Sequence, residues 1–220
     1  MAFPERFSTL PAYAFPRLRA LLDLHPAGGE PVAMSIGEPK HAFPAWIQDV
    51  LVAHMSEFNA YPPNDGSPEL LSNISAWIAR RYDVCVNPLT DILSLNGTRE
   101  GLYNAAMALC PEAKAGHPPL VLLPNPFYQV YLAATFSVAA HPHLVTAHAA
   151  NGFLPDYAGL SPDVLNRTAI AYICSPSNPL GAVGSPTYLK SLIELAETYD
   201  FKIFADECYS EIYRKAAPSG

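Results

Sequence analysis

At 220 residues, 50% hydrophobic and 15% charged, the chain is long enough to bury a substantial core and too apolar to remain disordered. Its formal net charge of −7 offers no electrostatic footprint for nucleic acid or an anionic membrane. No apolar run approaches a membrane span, and the opening MAFPERFSTLP lacks a basic region followed by an apolar one, so a cytoplasmic protein without nucleic-acid or membrane partners is expected.

In chain order, residues 44–58 carry Ile47, Val50, Leu51, Met55 and Phe58 at helical spacing. Residues 68–82 repeat the pattern with Leu70, Leu71, Ile74, Trp77 and Ile78, and both predict amphipathic helices. The period then changes to short apolar runs at 92–95, 120–123, 169–174 and 202–205, separated by helical stretches near 99–110, 128–136 and 186–199. Continuously apolar strands separated by helices predict an α/β fold with a mainly parallel sheet covered on both faces. The 23 prolines cluster at Pro62-Pro63, Pro118-Pro119, Pro124 and Pro126, and Pro176 and Pro179, where they read as joints between elements. Cys85, Cys110, Cys174 and Cys208 show no C-x-x-C or Cys/His grouping, which predicts reduced core thiols and no metal site.

Ligands of such sheets bind at the carboxyl ends of the strands, so the loop after each run carries the functional information. After 92–95 comes Asn96-Gly97-Thr98-Arg99-Glu100-Gly101: a tight turn at Gly97, a helix that Thr98 can cap, and first-turn N–H groups able to cup an anion. A plain capped helix explains it equally well. After 120–123, Tyr128 in Pro126-Phe127-Tyr128-Gln129-Val130-Tyr131 could stack on a bound ring or pack in the core. After 169–174, Asn178 sits between Ser177 and Pro179, a turn residue or an amide donor to a ligand oxygen. After 202–205, Asp206 and Tyr209 read either as a helix-capping acid with a core tyrosine or as a carboxylate for a heterocyclic N–H with a phenol beside it. Together the four loops supply a phosphate cup, a stacking ring, an amide and a ring-nitrogen carboxylate, the set that holds pyridoxal 5'-phosphate.

With SIGEP at 35–39, YPPNDG at 61–66, NGTREGL, PNPFYQVY, SPSNPLG and ADECYSEIY in this order, the chain resembles the fold type I, class I/II aminotransferases over essentially its whole length. The likeness runs nearest to the succinyldiaminopimelate aminotransferases of bacterial lysine biosynthesis, on YAFPRLR at 13–19, SIGEPKH ending at His41, and the NGTRE, PNPFYQVY and DECYSEIY strings. It implies the family's large domain, an αβα sandwich with its last strands and catalytic-lysine loop missing, over residues 46–220. Residues 1–45 would be an N-terminal arm and small-domain segment. It further implies Gly97, Thr98 and Arg99 at the cofactor phosphate, Tyr128 on the pyridine ring, Asn178 and Tyr209 at the ring hydroxyl, and Asp206 at the ring nitrogen. Gly37 would lie beside the substrate carboxylate. Tyr61 would reach the phosphate of a neighbouring subunit, which implies a homodimer. Leu180 stands where many relatives carry Thr, leaving that loop's hydrogen bonding less defined.

None of Lys40, Lys114, Lys190, Lys202 and Lys215 falls where the family places its Schiff-base lysine, which is expected beyond Gly220, so no catalytic residue is assigned within the chain and inactivity of these 220 residues is expected. The family's sheet also takes two strands from beyond that point, between runs 92–95 and 202–205, so apolar surface and unpaired backbone edges are expected at 92–95. The expected reaction moves an amino group between glutamate or 2-oxoglutarate and an amino acid, N-succinyl-LL-2,6-diaminopimelate first. Another class I/II aminotransferase, a same-fold lyase and a non-catalytic relic remain alternatives.

Overall fold

The computed structural model describes residues 5–8, 10–32, 34–37 and 41–220. Glu38, Pro39 and Lys40 of the SIGEPKH string lie outside them. The chain divides into two compact units, residues 10–67 and residues 68–220 with 1–9. The first holds α1 (Ala14–Leu22), α2 (Trp46–Ala53) and a 3-10 turn at Met55–Asn59, none with a buried residue. The periodicity at 44–58 therefore falls on α2 and that turn, while α1 has no counterpart in the sequence reading.

The second unit opens with α3 (Pro68–Tyr82), whose bounds coincide with the predicted helix; Pro suits a first helical turn, where its missing N–H has no intrahelical role. After α4 (Thr98–Leu109) come β1 (Leu120–Asn125), α5 (Gln129–Ser137), β2 (His141–Thr146), α6 (Pro162–Arg167), β3 (Thr168–Cys174), α7 (Pro186–Tyr199) and β4 (Lys202–Asp206). Serines at 161 and 185 cap α6 and α7, each accepting from a backbone N–H of the first turn. The four strands form one sheet in the order β2-β1-β3-β4, and every pairing is parallel.

Side chains alternate across this sheet. Val121, Leu123, Ile170 and Tyr172 pack with Ala106 of α4 and Tyr131 and Ala134 of α5 on one face. Leu122, Val145, Ala171 and Ile173 pack with Leu165 of α6 and Leu192 and Ala196 of α7 on the other. The result is the expected αβα sandwich. Every residue of the central strand β3 is buried, which is why its sequence reads as one apolar run with no polar alternation.

Three expectations are corrected. Residues 92–95 form no strand: a strand needs a ladder partner, and none of the four strands pairs with them. The anticipated apolar exposure is present, since Leu93 is 67% and Leu95 51% exposed. An apolar groove of about 600 Å³ lies in this region, with Leu95, Trp77, Ile78, Leu102 and Phe204 on its walls. Pro124 does not mark a joint; it is the fifth residue of β1 and lies beyond the last β1–β3 pair, Leu122↔Ala171, so its absent N–H interrupts no bond to β3. Of the four free cysteines only Cys174 is a core thiol, Cys110 is half-buried, and Cys85 and Cys208 are exposed.

Among the described residues no helix is long and apolar enough to cross a membrane, and no group of three or more His, Cys, Asp or Glu side chains could hold a metal ion.

Candidate functional site

At the carboxyl ends of β1, β3 and β4 and the start of α4 lies a cavity of about 390 Å³. Gly97, Thr98 and Arg99 form one wall, Tyr128 another, and Asn178, Asp206 and Tyr209 line the same space. Seven residues picked from four separated strings thus meet in one cavity. Gly37 and Tyr61 belong to the unit of residues 10–67; both are exposed.

The α4 end is built by Gly97, which takes φ +149°, a backbone conformation that side-chain-bearing residues rarely adopt. A Cβ there would also lie 2.9 Å from the Glu100 carboxylate. The sequence reading let Thr98 cap this helix. In the structure Gly97 is the N-cap, Thr98 is the first helical residue, and no side chain caps the end. The first-turn N–H groups thereby stay available, with the positive end of the helix dipole, for an anion. Arg99 Nε donates to the Tyr128 hydroxyl at 2.8 Å, tying this cup to the aromatic wall.

Asn178 is held by a stiff loop. Ser175 N–H donates to Asp206 O at 3.1 Å, Ser175 Oγ accepts from Gly184 N–H at 3.0 Å, and Ser177 Oγ accepts from Ala182 N–H at 2.9 Å. The Asn178 amide donates to the Tyr209 hydroxyl at 3.3 Å, so the two groups assigned to one ring oxygen do meet. Burial foremost, then the neighbouring Cys208 and Cys174 thiols and the Asp206 carboxylate, push the Tyr209 phenol above its ordinary range, which keeps it a donor at neutral pH.

Asp206 ends β4 and is buried, only 6% exposed. It caps no helix: residues 208–211 form a turn, and Asp206 Oδ1 accepts the Cys208 N–H at 3.3 Å. Its other oxygen, Oδ2, accepts from the Tyr131 hydroxyl at 2.6 Å. The neighbouring acids serve a different purpose. Glu207 accepts from the Tyr82 hydroxyl at 2.9 Å, and Glu211 pairs with Arg81 at 2.7 Å, so both anchor the turn to α3. Among the described residues no lysine or arginine pairs with Asp206, so the donors that hold this buried carboxylate are neutral.

The described lysines lie elsewhere. Lys114 donates to the Tyr199 and Asp200 carbonyls and Lys190 pairs with Glu194 at 3.9 Å. Lys202 starts β4 at the strand end opposite Asp206, and Lys215 is exposed.

Sequence reasoning missed three residues here. Cys174 and Cys208 also line the cavity, and partial burial foremost, then the Asp206 carboxylate, push the Cys208 thiol up to about 12. Tyr131 stands behind Asp206. Its signal was present, because it lies three residues after Tyr128 and so on the same side of a helical turn.

The sequence profile of the family described as aminotransferase class I and II matches residues 30–219. The LL-diaminopimelate aminotransferase of Desulforudis audaxviator is 32% identical over 217 residues, covering 96% of this chain and 54% of that protein. The LL-diaminopimelate aminotransferase of Moorella thermoacetica is 31% identical over 211 residues, covering 94% and 53%. A crystal structure of an aminotransferase from Neisseria meningitidis superposes with a TM-score of 0.90 at 36% identity, covering 99% of this chain and 56% of that one. The chain spans about half the length of the relatives it matches. Matched along most of its length and superposing in nearly all of it, the chain belongs to the class I and II aminotransferases, a family whose cofactor is pyridoxal 5'-phosphate.

Proposed function

We propose that the cavity at the mouth of the sheet is a pyridoxal 5'-phosphate site, and that the complete protein is an aminotransferase moving an amino group between glutamate or 2-oxoglutarate and a diaminopimelate. The observation that carries this reading is chemical polarity: the start of helix α4 at Gly97 and Thr98, with no side-chain cap, lies at one end of the cavity and the buried carboxylate of Asp206, bonded to neutral donors, at the other. A ligand with an anionic phosphate and a protonated ring nitrogen satisfies both ends at once. Tyr128 covers the ring, and Asn178 with Tyr209 donates to its hydroxyl oxygen.

When bound, the cofactor supplies an electron sink for the pair left by the departing substrate Cα proton. Asp206 keeps the ring nitrogen protonated, the α4 end fixes the phosphate, and Asn178 and Tyr209 set the charge on the ring oxygen. Gly37 would border the substrate carboxylate. Tyr61, fully exposed, would reach the phosphate of a second subunit in a cytoplasmic homodimer. Residues 1–45 would form the arm and small-domain segment, and 46–220 the large-domain part. The lysine that binds the cofactor covalently would lie beyond Gly220.

Titration of the purified 220-residue chain with pyridoxal phosphate, followed by fluorescence quenching, tests the site. Reversible binding that borohydride does not fix to the protein is expected; no binding rejects the site, and a borohydride-stable adduct at a single lysine rejects the lysine assignment. The YAFPRLR and SIGEPKH strings favour the N-succinylated substrate, whereas the names of the Desulforudis and Moorella relatives favour free LL-diaminopimelate. Assaying a full-length form with each substrate, 2-oxoglutarate as acceptor, separates the two; turnover of neither rejects both.

A further inference from the structure

Tyr131 is fully buried in α5, and its hydroxyl donates to Asp206 Oδ2 at 2.6 Å. Its ring is locked. It stacks on Tyr172 with centroids 4.4 Å apart and 13° between planes, and it meets the edge of Tyr128 at 5.8 Å. Tyr172 is in turn pinned by its own hydroxyl, which donates to the Leu102 carbonyl of α4 at 2.8 Å. Tyr131 therefore reaches Asp206 from one fixed direction. The Cys208 N–H holds the other oxygen at 3.3 Å, so each carboxylate oxygen has a donor from the protein and the group cannot rotate without breaking a bond. Burial foremost, then the bond to Asp206, push the Tyr131 phenol well above its ordinary range, so it stays protonated and donates to the carboxylate.

We propose that Tyr131 is a positioning residue for the cofactor's ring nitrogen: its buried hydroxyl orients the Asp206 carboxylate so that the remaining lone pairs face the cavity. The inference rests on the cofactor reading of Asp206 above. A merely structural tyrosine would stabilise the burial of Asp206 without affecting what the cavity prefers to bind, and that difference can be measured.

The probes are pyridoxal 5'-phosphate and its 1-deaza analogue, in which a C–H stands in place of the ring nitrogen. Both are titrated into the 220-residue chain, and the ratio of the two affinities is read. The ratio cancels any loss of folded population, because both apparent affinities fall by the same fraction. The unaltered chain is expected to prefer pyridoxal phosphate, and Asp206→Ala to lose that preference. Tyr131→Phe should reduce the preference about tenfold, the order expected when a hydrogen bond to a charged group is lost, while the affinity for the deaza analogue stays within about twofold. Tyr188→Phe, which removes a hydroxyl bonded to the Pro155 carbonyl on the opposite face of the sheet, should leave the ratio unchanged. Equal losses for both ligands in Tyr131→Phe overturn the positioning role. Loss of preference in Asp206→Ala but not in Tyr131→Phe also overturns it and leaves the cofactor reading standing. No preference in the unaltered chain overturns the cofactor reading and the proposal with it. If Tyr131→Phe does not fold, the downfield hydroxyl proton resonance of Tyr131 in the unaltered chain replaces it: the signal should shift with pyridoxal phosphate and not with the deaza analogue, and a shift with both or neither overturns the proposal.

Discussion

Residues 92–95 and strand β3 are both short apolar runs, and each leads into a wall of the same cavity, 92–95 to Gly97–Arg99 and β3 to Asn178. Only β3 is a strand. It has β1 on one side and β4 on the other and is buried throughout, whereas 92–95 has no strand paired with it and keeps Leu93 and Leu95 half or more exposed. The contrast teaches that apolar composition proposes a strand and hydrogen-bonding neighbours make one. It also means that the two ends of the site rest on supports of unequal stiffness.

Hydrogen exchange tests that inequality most severely. Amides of β3 should exchange only on global opening, at least a thousandfold more slowly than those of 92–95; equal protection in both would mean that 92–95 has a partner. Truncation comes next. Ile170→Ala, at a fully buried β3 position, should cost about 2–5 kcal/mol in denaturant unfolding, and Leu93→Ala less than about 0.5 kcal/mol. A comparable loss at Leu93 would break the comparison.

The site loops give the finer measurements. Gly97→Ala, forced toward φ +149° and against Glu100, should weaken pyridoxal phosphate binding about tenfold through strain of order 1–3 kcal/mol. The smallest effect is expected at the stiffer support, where Asn178→Ala removes one neutral hydrogen bond and should weaken binding about fivefold. A larger loss at Asn178 than at Gly97 would place the dominant contact at the ring instead of the phosphate.

What the sequence discloses of this molecule follows burial. The runs 120–123 and 169–174 lie on β1 and β3 because near-complete burial leaves no room for polar residues, whereas 202–205 lies on the edge strand β4, where only Asp206 is buried, and shows through its apolar Ile203-Phe204-Ala205. Strand β2, His141-Pro142-His143-Leu144-Val145-Thr146, was missed because it is an edge with only Val145 buried, and an edge tolerates histidine and proline. The six-residue α6 was too short to show a period. At the site, Tyr128, Asn178, Asp206 and Tyr209 were legible because each lies at or just after the end of a strand, where ligands of parallel sheets bind, and Gly97–Arg99 because they follow an apolar run and open a helix; Cys174 and Cys208 were not singled out. The spacing of Tyr131 from Tyr128 hinted at a shared side of the turn, but its bond to Asp206 was not legible, because that partner lies 75 residues away and joins it only through the packing of α5 on the sheet.

The uncapped start of α4 carries one more consequence. Glycine at the N-cap forgoes only a few tenths of a kcal/mol relative to a serine or aspartate, and it brings no side-chain cap to compete with an anion at that turn. A ligand that binds there and not to the unfolded chain shifts the folding equilibrium by mass action, by about 2.7 kcal/mol at a hundred times its dissociation constant. Thermal unfolding of this chain should therefore depend on cofactor concentration, so that the melting temperature itself becomes an affinity scale for the site.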